Sequence, residues 1–190
     1  MSRVYLLRHA EVEPPWRGLL LGRTDAPADA AGVQRFARIG QMLRERGVKT
    51  VFTSPLLRAR ACAEALGLAG HVIPGLAELD FGEWEGKSFR DVPRAVHLYE
   101  DPSSVQIPGG ESFEWFATRV REAINAILVR EPNGPSAVVS HGVVNRVILA
   151  EAMGLAHKRM FRIAQDPGCI NLIDYGAGWR CVRLLNARTL

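Results

Sequence analysis

Three stations of polar residues each stand directly after an apolar run. Arg8-His9 follows Arg3–Leu7, Ser54 with Arg58 one helical turn later follows Thr50–Thr53, and His141-Gly142 follows Ser136–Ser140. Two arginines and two histidines gathered in one cleft suit phosphoryl transfer. Guanidinium forks can hold the three equatorial oxygens of the transferring group. A histidine nitrogen can attack phosphorus and carry the group as a covalent intermediate. A departing ester oxygen also needs a proton. Glu78 could supply it, because Leu76, Leu79 and Phe81 around it favour the protonated carboxyl. Asp80, Glu83 and Glu85 lie close by and compete for that role. A single histidine after a strand is more often a structural hydrogen-bonder, so the combination carries the reading. His71, His97 and His157 read as surface or loop residues. No HExxH pair or carboxylate cluster calls for a metal, and no cofactor is expected.

The elements that must position these residues follow from periodicity. Apolar runs at Arg3–Leu7, Thr50–Thr53 and Ser136–Ser140 read as strands, and a further strand is expected at His71–Ile73. Phe36, Ile39 and Leu43 make an amphipathic helix of Gly32–Arg46, and Phe113, Phe116, Val120, Ile124 and Ile127 make another of Phe113–Val129. Helices are also expected from Ser54-Pro55 to about Leu66 and over Gly142–Met153. Cys169–Tyr175 and Trp179–Leu185 read as an antiparallel pair turning at Gly176-Ala177-Gly178. Strands alternating with helices give the fold class: α/β, a three-layer α/β/α sandwich with a mostly parallel sheet and an antiparallel edge. Ligands of such sheets bind beyond the carboxyl ends of the strands, where all three stations fall. Leu76–Gly86 is read as irregular and Lys87–Gly110 as a mostly polar connector with weak helical segments. One domain over 1–190 is expected, with a small cap-like insertion at about 83–111.

Composition narrows the class. Of 190 residues 47% are hydrophobic and 23% charged, which excludes a mainly disordered chain. No apolar run approaches the roughly 18 residues of a membrane span, and Val4–Leu7 is too short for a signal-peptide core. Cys62, Cys169 and Cys181 are widely spaced with no zinc-ligand pattern, so a reduced, cytoplasmic setting is expected. The net charge is +4, and 21 of the 24 basic residues are arginines, a bias that suits phosphate or carboxylate ligands. The basic residues are spread along the chain without a nucleic-acid motif, so neither a nucleic-acid nor a membrane partner is expected. The antiparallel pair near Cys169–Leu185 could support a homodimer. Gly82–Ser88 imitates a phosphate-binding loop, but its spacing is one residue short and two glutamates would repel a triphosphate.

Several motifs together resemble the histidine phosphatase superfamily, the phosphoglycerate mutase-like fold. Leu6-Leu7-Arg8-His9-Ala10-Glu11 is similar to the family's Arg-His-Gly signature. Thr53-Ser54-Pro55-Leu56-Leu57-Arg58-Ala59 is similar to the segment bearing its second arginine. Leu76-Ala77-Glu78-Leu79-Asp80-Phe81-Gly82 resembles the segment of its acid, and Ser140-His141-Gly142 that of its second histidine. Pro108-Gly109-Gly110-Glu111-Ser112 resembles a substrate loop of small members. These stations occur in the family's order and span residues 3–146.

The resemblance implies that His9 is the nucleophile that becomes phosphohistidine. It implies that Arg8, Arg58 and His141 complete the phosphate pocket and that Glu78 is the acid and then the base for water. Gly142, at a helix start, would offer its N–H to the anion. Glu111 and Ser112 become candidates for substrate binding. Two departures stand out: Ala10 replaces the usual glycine, and Pro14-Pro15-Trp16-Arg17 replaces a pattern whose Asn helps bind phosphate. Arg17 is a candidate replacement for that Asn, and Arg23 and Thr24 occupy another phosphate-proximal loop. The compact size resembles α-ribazole phosphatases and related broad-specificity phosphatases. The implied activity is metal-independent hydrolysis of a small phosphorylated metabolite, for which α-ribazole 5'-phosphate is a candidate. The alternatives are a phosphoglycerate mutase-type phosphotransferase and a catalytically weak relative that binds a phospho-ligand or protein. Only about 21 residues, Lys87–Ile107, are available to cover the site, which favours access of water and hence hydrolysis.

Overall fold

In a computed structural model that describes residues 1–190, the apolar runs form a six-stranded sheet. The elements are β1 (Ser2–Arg8), α1 (Ala30–Glu45), β2 (Thr50–Thr53), α2 (Leu57–Ala65), β3 (Ala69–Val72), the single turn α3 (His97–Glu100), α4 (Phe113–Arg130), β4 (Pro135–Ser140), α5 (Gly142–Ala152), β5 (Ile170–Gly176) and β6 (Trp179–Ala187). The strand order is β3-β2-β4-β1-β5-β6. β1, β2, β3 and β4 pair in parallel, and β5 and β6 add an antiparallel margin beside β1. This is the α/β sandwich expected from the alternation of elements.

The central strands are apolar on both sides because helices cover both faces of the sheet. Val4, Leu6, Phe52 and Val138 point into one core, shared with α4 and α5. Their neighbours Tyr5, Leu7, Val51, Ala137 and Val139 point into the other, shared with α1 and α2. The period of two along each strand thus divides one sheet between two cores.

Differences from the sequence reading have local causes. α1 starts two residues early because the Asp29 carboxylate caps it, accepting from the N–H groups of Ala31 and Gly32. α2 starts at Leu57, since Leu56 stays extended and Ser54 Oγ accepts its N–H. β3 lies at Ala69–Val72, two residues before the expected start; as an outer, poorly buried strand it carries no apolar signature. A 3-10 helix at His157–Arg162 is absent from the sequence reading. The connector after Lys87 contains only short turns of helix, as expected. No helix is long and apolar enough to cross a membrane.

Candidate active site

Parallel register brings the three stations together. Arg8 is level with Ser140 and Thr53 with Val139, so the residues that follow emerge at one edge of the sheet. The ladders run one step further: His9 N–H donates to Ser140 O (3.0 Å) and Ser54 N–H to Val139 O (3.1 Å). His9 and His141 meet with ring centroids 5.0 Å apart, both buried.

Each ring is set by one hydrogen bond. His9 Nδ1 lies 2.5 Å from the Ala10 carbonyl, which can only accept, so Nδ1 carries the proton and Nε2 keeps its lone pair. Burial, and then the Arg58 and Arg8 charges, push the His9 pKa well below the usual histidine value, leaving the ring neutral. His141 is lowered in the same way, by burial first and then by Arg58, His9 and Arg8. Its Nε2 is 2.6 Å from Ser54 Oγ. That hydroxyl accepts from Leu56 N–H, and its own proton has no acceptor in reach other than Nε2, which assigns the lone pair to Nε2. His141 Nδ1 is therefore the N–H side of the ring, and it is buried without a partner.

The arginines are fixed by carbonyls. Arg58, 1% exposed, donates to the carbonyls of Thr24 (2.7 Å), Leu21 (3.0 Å) and Gly22 (2.9 Å). Arg8 Nη1 donates to Gln165 O at 2.5 Å, and its Nε is buried without a partner. Gln165 is held by the Asn145 and Asn171 side chains, each of which donates to its Oε1 at 3.0 Å. Two unpartnered donors, Arg8 Nε and His141 Nδ1, thus remain in a buried site, a condition that an anion would relieve.

Glu78 is buried beside them, among Leu76, Leu79 and Phe81 as anticipated. Oε1 accepts from Leu79 N–H (3.0 Å) and Val144 N–H (3.3 Å), whereas Oε2 accepts from Val143 N–H alone (3.0 Å) and keeps a second acceptor site. Glu78 also takes two of the first-turn N–H groups of α5, which leaves that of Gly142.

These groups floor a cavity of about 380 Å³. Arg8, His9, Arg58, Glu78 and Gly142 line its base, Val12, Trp16 and Leu19–Leu21 one wall, and Phe89, Leu98, Tyr99 and Phe161 the other. Tyr99 packs 4.6 Å from Phe161 and 5.6 Å from Phe89, centroid to centroid. A larger hollow of about 800 Å³, around Trp179 and Met153, lies away from the strand ends that carry these groups.

The five other candidate residues lie outside this cavity lining and have partners within the protein. Arg17 donates to Val12 O (3.1 Å) and pairs with Asp29 (2.8 Å). Thr24 is bound through N–H and hydroxyl to Glu85, whose carboxylate also accepts from the N–H groups of Gly22 and Arg23. The Arg23 side chain faces Glu111 (3.7 Å). Glu111 pairs with Arg119 and accepts from Asp80 N–H. Ser112 caps α4 by accepting from Trp115 N–H. Glu85, considered above as an acid, is thus the anchor of the Gly22–Thr24 loop. A side chain at Gly22 would strike the Leu79 carbonyl, so glycine alone allows that approach.

Two residues of the site escaped the sequence reading. Arg146 lines the cavity, and its place four residues after Gly142 on α5 is a helical-spacing signal that could have found it. Gln165 had no such signal, since its partners come from distant segments.

The family model of the histidine phosphatase superfamily, branch 1, matches residues 4–188. The chain belongs to this superfamily. Among its relatives is an adenosylcobalamin/α-ribazole phosphatase of Escherichia coli, 28% identical over 202 residues that cover 99% of this chain and 97% of that protein. A bifunctional protein of Mycobacterium tuberculosis is 31% identical over 195 residues; the match takes in 97% of this chain but 54% of that protein, so this histidine phosphatase chain spans about half its length. The crystal structure of the α-ribazole phosphatase from Shigella flexneri superposes with a TM-score of 0.86 at 27% identity, covering 99% of this chain and 98% of that one.

Proposed function

We propose that this protein is a phosphomonoesterase that works through a phosphohistidine on His9. The observation that carries the reading is the neutral, buried His9, its Nδ1 tied to Ala10 O and its Nε2 lone pair free, beside Arg8, Arg58 and His141. Nε2 attacks phosphorus in line with the ester oxygen. The N–P bond forms, the P–O ester bond breaks, and Glu78 protonates the departing alcohol. Water then attacks phosphorus, gives its proton to Glu78, and the N–P bond breaks to release phosphate. Arg8, Arg58, the His141 Nδ1–H and the Gly142 N–H hold the oxygens throughout.

The substrate is a small phosphorylated metabolite. The names of the relatives make α-ribazole 5'-phosphate the first to try, and the apolar walls around Trp16, Tyr99 and Phe161 suit a leaving group with a flat apolar part. We read 83–111 as the cap, since it brings Phe89, Leu98 and Tyr99 to the mouth while leaving water an entry. In the test, wild type and His9→Ala are quenched with alkaline detergent during turnover of a ³²P-labelled ester, and the retained label is then challenged with acid. Acid-labile label on wild type alone, with turnover, is the expected result. Turnover without label on His9 would overturn the mechanism.

A further inference from the structure

We infer that Arg146 is a third guanidinium of the anion site, binding the phosphoryl group alongside Arg8 and Arg58; the inference rests on the phosphatase reading above. Arg146 reaches the cavity from the second turn of α5. Its Nε donates to Ile163 O (2.9 Å) and its Nη1 to Gly142 O (3.1 Å), so two carbonyls pose the head group and Nη2 stays uncommitted. The back of the guanidinium lies over the Phe161 ring, 5.3 Å from its centroid.

The group is close to the anion site. A Cβ built on Gly142 would lie 3.1 Å from Arg146 Nη1 and 3.5 Å from Arg8 Cζ and Nε, so the two guanidiniums flank one glycine. A side chain at Gly142 would press on Arg146 and touch Arg8. Arg8 Nε is the donor left buried without a partner, and the Arg146 guanidinium lies against the same side of Gly142.

Charge points the same way. Arg146 makes no ion pair, and Glu78, the carboxylate that acts on it electrostatically, is occupied by three main-chain N–H groups. Burial and the neighbouring Arg8 both work against its positive charge. Confining like charges in a half-buried cleft is costly unless an anion joins them. The cavity lining holds three guanidiniums against two carboxylates, Glu11 and Glu78, an excess of positive charge that favours an anion.

The test uses Arg146→Ala and Arg146→Gln in the full chain, the glutamine keeping a donor for the carbonyls without the charge. Binding of inorganic phosphate is measured by calorimetry, which needs no turnover. Hydrolysis of 4-nitrophenyl phosphate and ribose 5-phosphate is followed in parallel. Loss of a charge-assisted hydrogen bond predicts phosphate affinity weaker by about 10- to 100-fold, with kcat/KM reduced by a similar factor on both esters. Phosphate affinity within about twofold of wild type in the folded glutamine variant would overturn the assignment. So would a loss confined to ribose 5-phosphate, which would move Arg146 to the leaving group. A wild type that binds phosphate but cleaves no ester would sink the phosphatase reading alone, and one that binds no phosphate would sink both.

Discussion

On the floor of the cleft, Arg8, His9, Arg58 and His141 have main-chain or buried hydroxyl partners, and Arg8 Nε and His141 Nδ1 are left without one. On the rim, Arg17, Arg23, Thr24, Glu111 and Ser112 have the same chemistry but are paired with other side chains and with the main chain. The difference lies in what fixes the backbone. A strand end is held by the ladder beneath it, so its side chains are released for other work. A loop has no ladder, and its carboxylates, hydroxyls and guanidiniums supply the missing hydrogen bonds.

Arg58 belongs to both regions, which makes it the sharpest test of that contrast. Arg58→Ala strands three carbonyls of the 21–24 loop and removes a charge from the anion site. It should cost about 2–4 kcal/mol of stability in denaturant unfolding and at least about 100-fold in kcat/KM. An activity loss with unchanged stability would mean that the loop does not depend on it. Glu85→Ala should act from the rim alone. Losing the carboxylate that gathers the Gly22–Thr24 loop should destabilise by about 1–3 kcal/mol and lower kcat/KM far less than Arg58→Ala.

The floor also has a pH signature. His9 and His141 are held neutral in the folded protein, with pKa values well below the usual 6.5, while the unfolded chain binds protons near that value. The unfolded state therefore takes up more protons as pH falls below 6.5. Stability from these two groups is full at neutral pH and declines with acidification toward their folded pKa values. Unfolding midpoints between pH 7 and pH 5 should fall, whereas the limb of kcat/KM that reports His9 protonation should lie well below pH 6.5. A His9 limb at 6.5 would mean that the ring is more solvated than its burial implies.

The smallest effects belong to the rim. Arg17→Ala should leave kcat/KM within about twofold, since its partners are Val12 O and Asp29. Ser112→Ala should cost about 1 kcal/mol by uncapping α4 without changing KM. A large rise in KM in either variant would return that residue to the substrate.

The strands, the paired order of the stations and the residues of the floor were legible in the chain, because apolar runs of period two must be buried and the polar residue after each run must emerge at a strand end. Glu78 was found by its segment, but its three N–H partners were not, since two of them belong to α5, more than sixty positions away. Arg17, Arg23 and Thr24 fit a phosphate by type, and only the folded loops reveal their partners Asp29, Glu111 and Glu85. Sequence by itself determined which residues stand at the ends of the parallel strands, because burial and periodicity are local demands on the chain. Only the tertiary structure decided which polar groups are spent on the protein and which remain free, because a hydrogen bond is satisfied by whatever partner lies within about 3 Å, regardless of the distance along the chain.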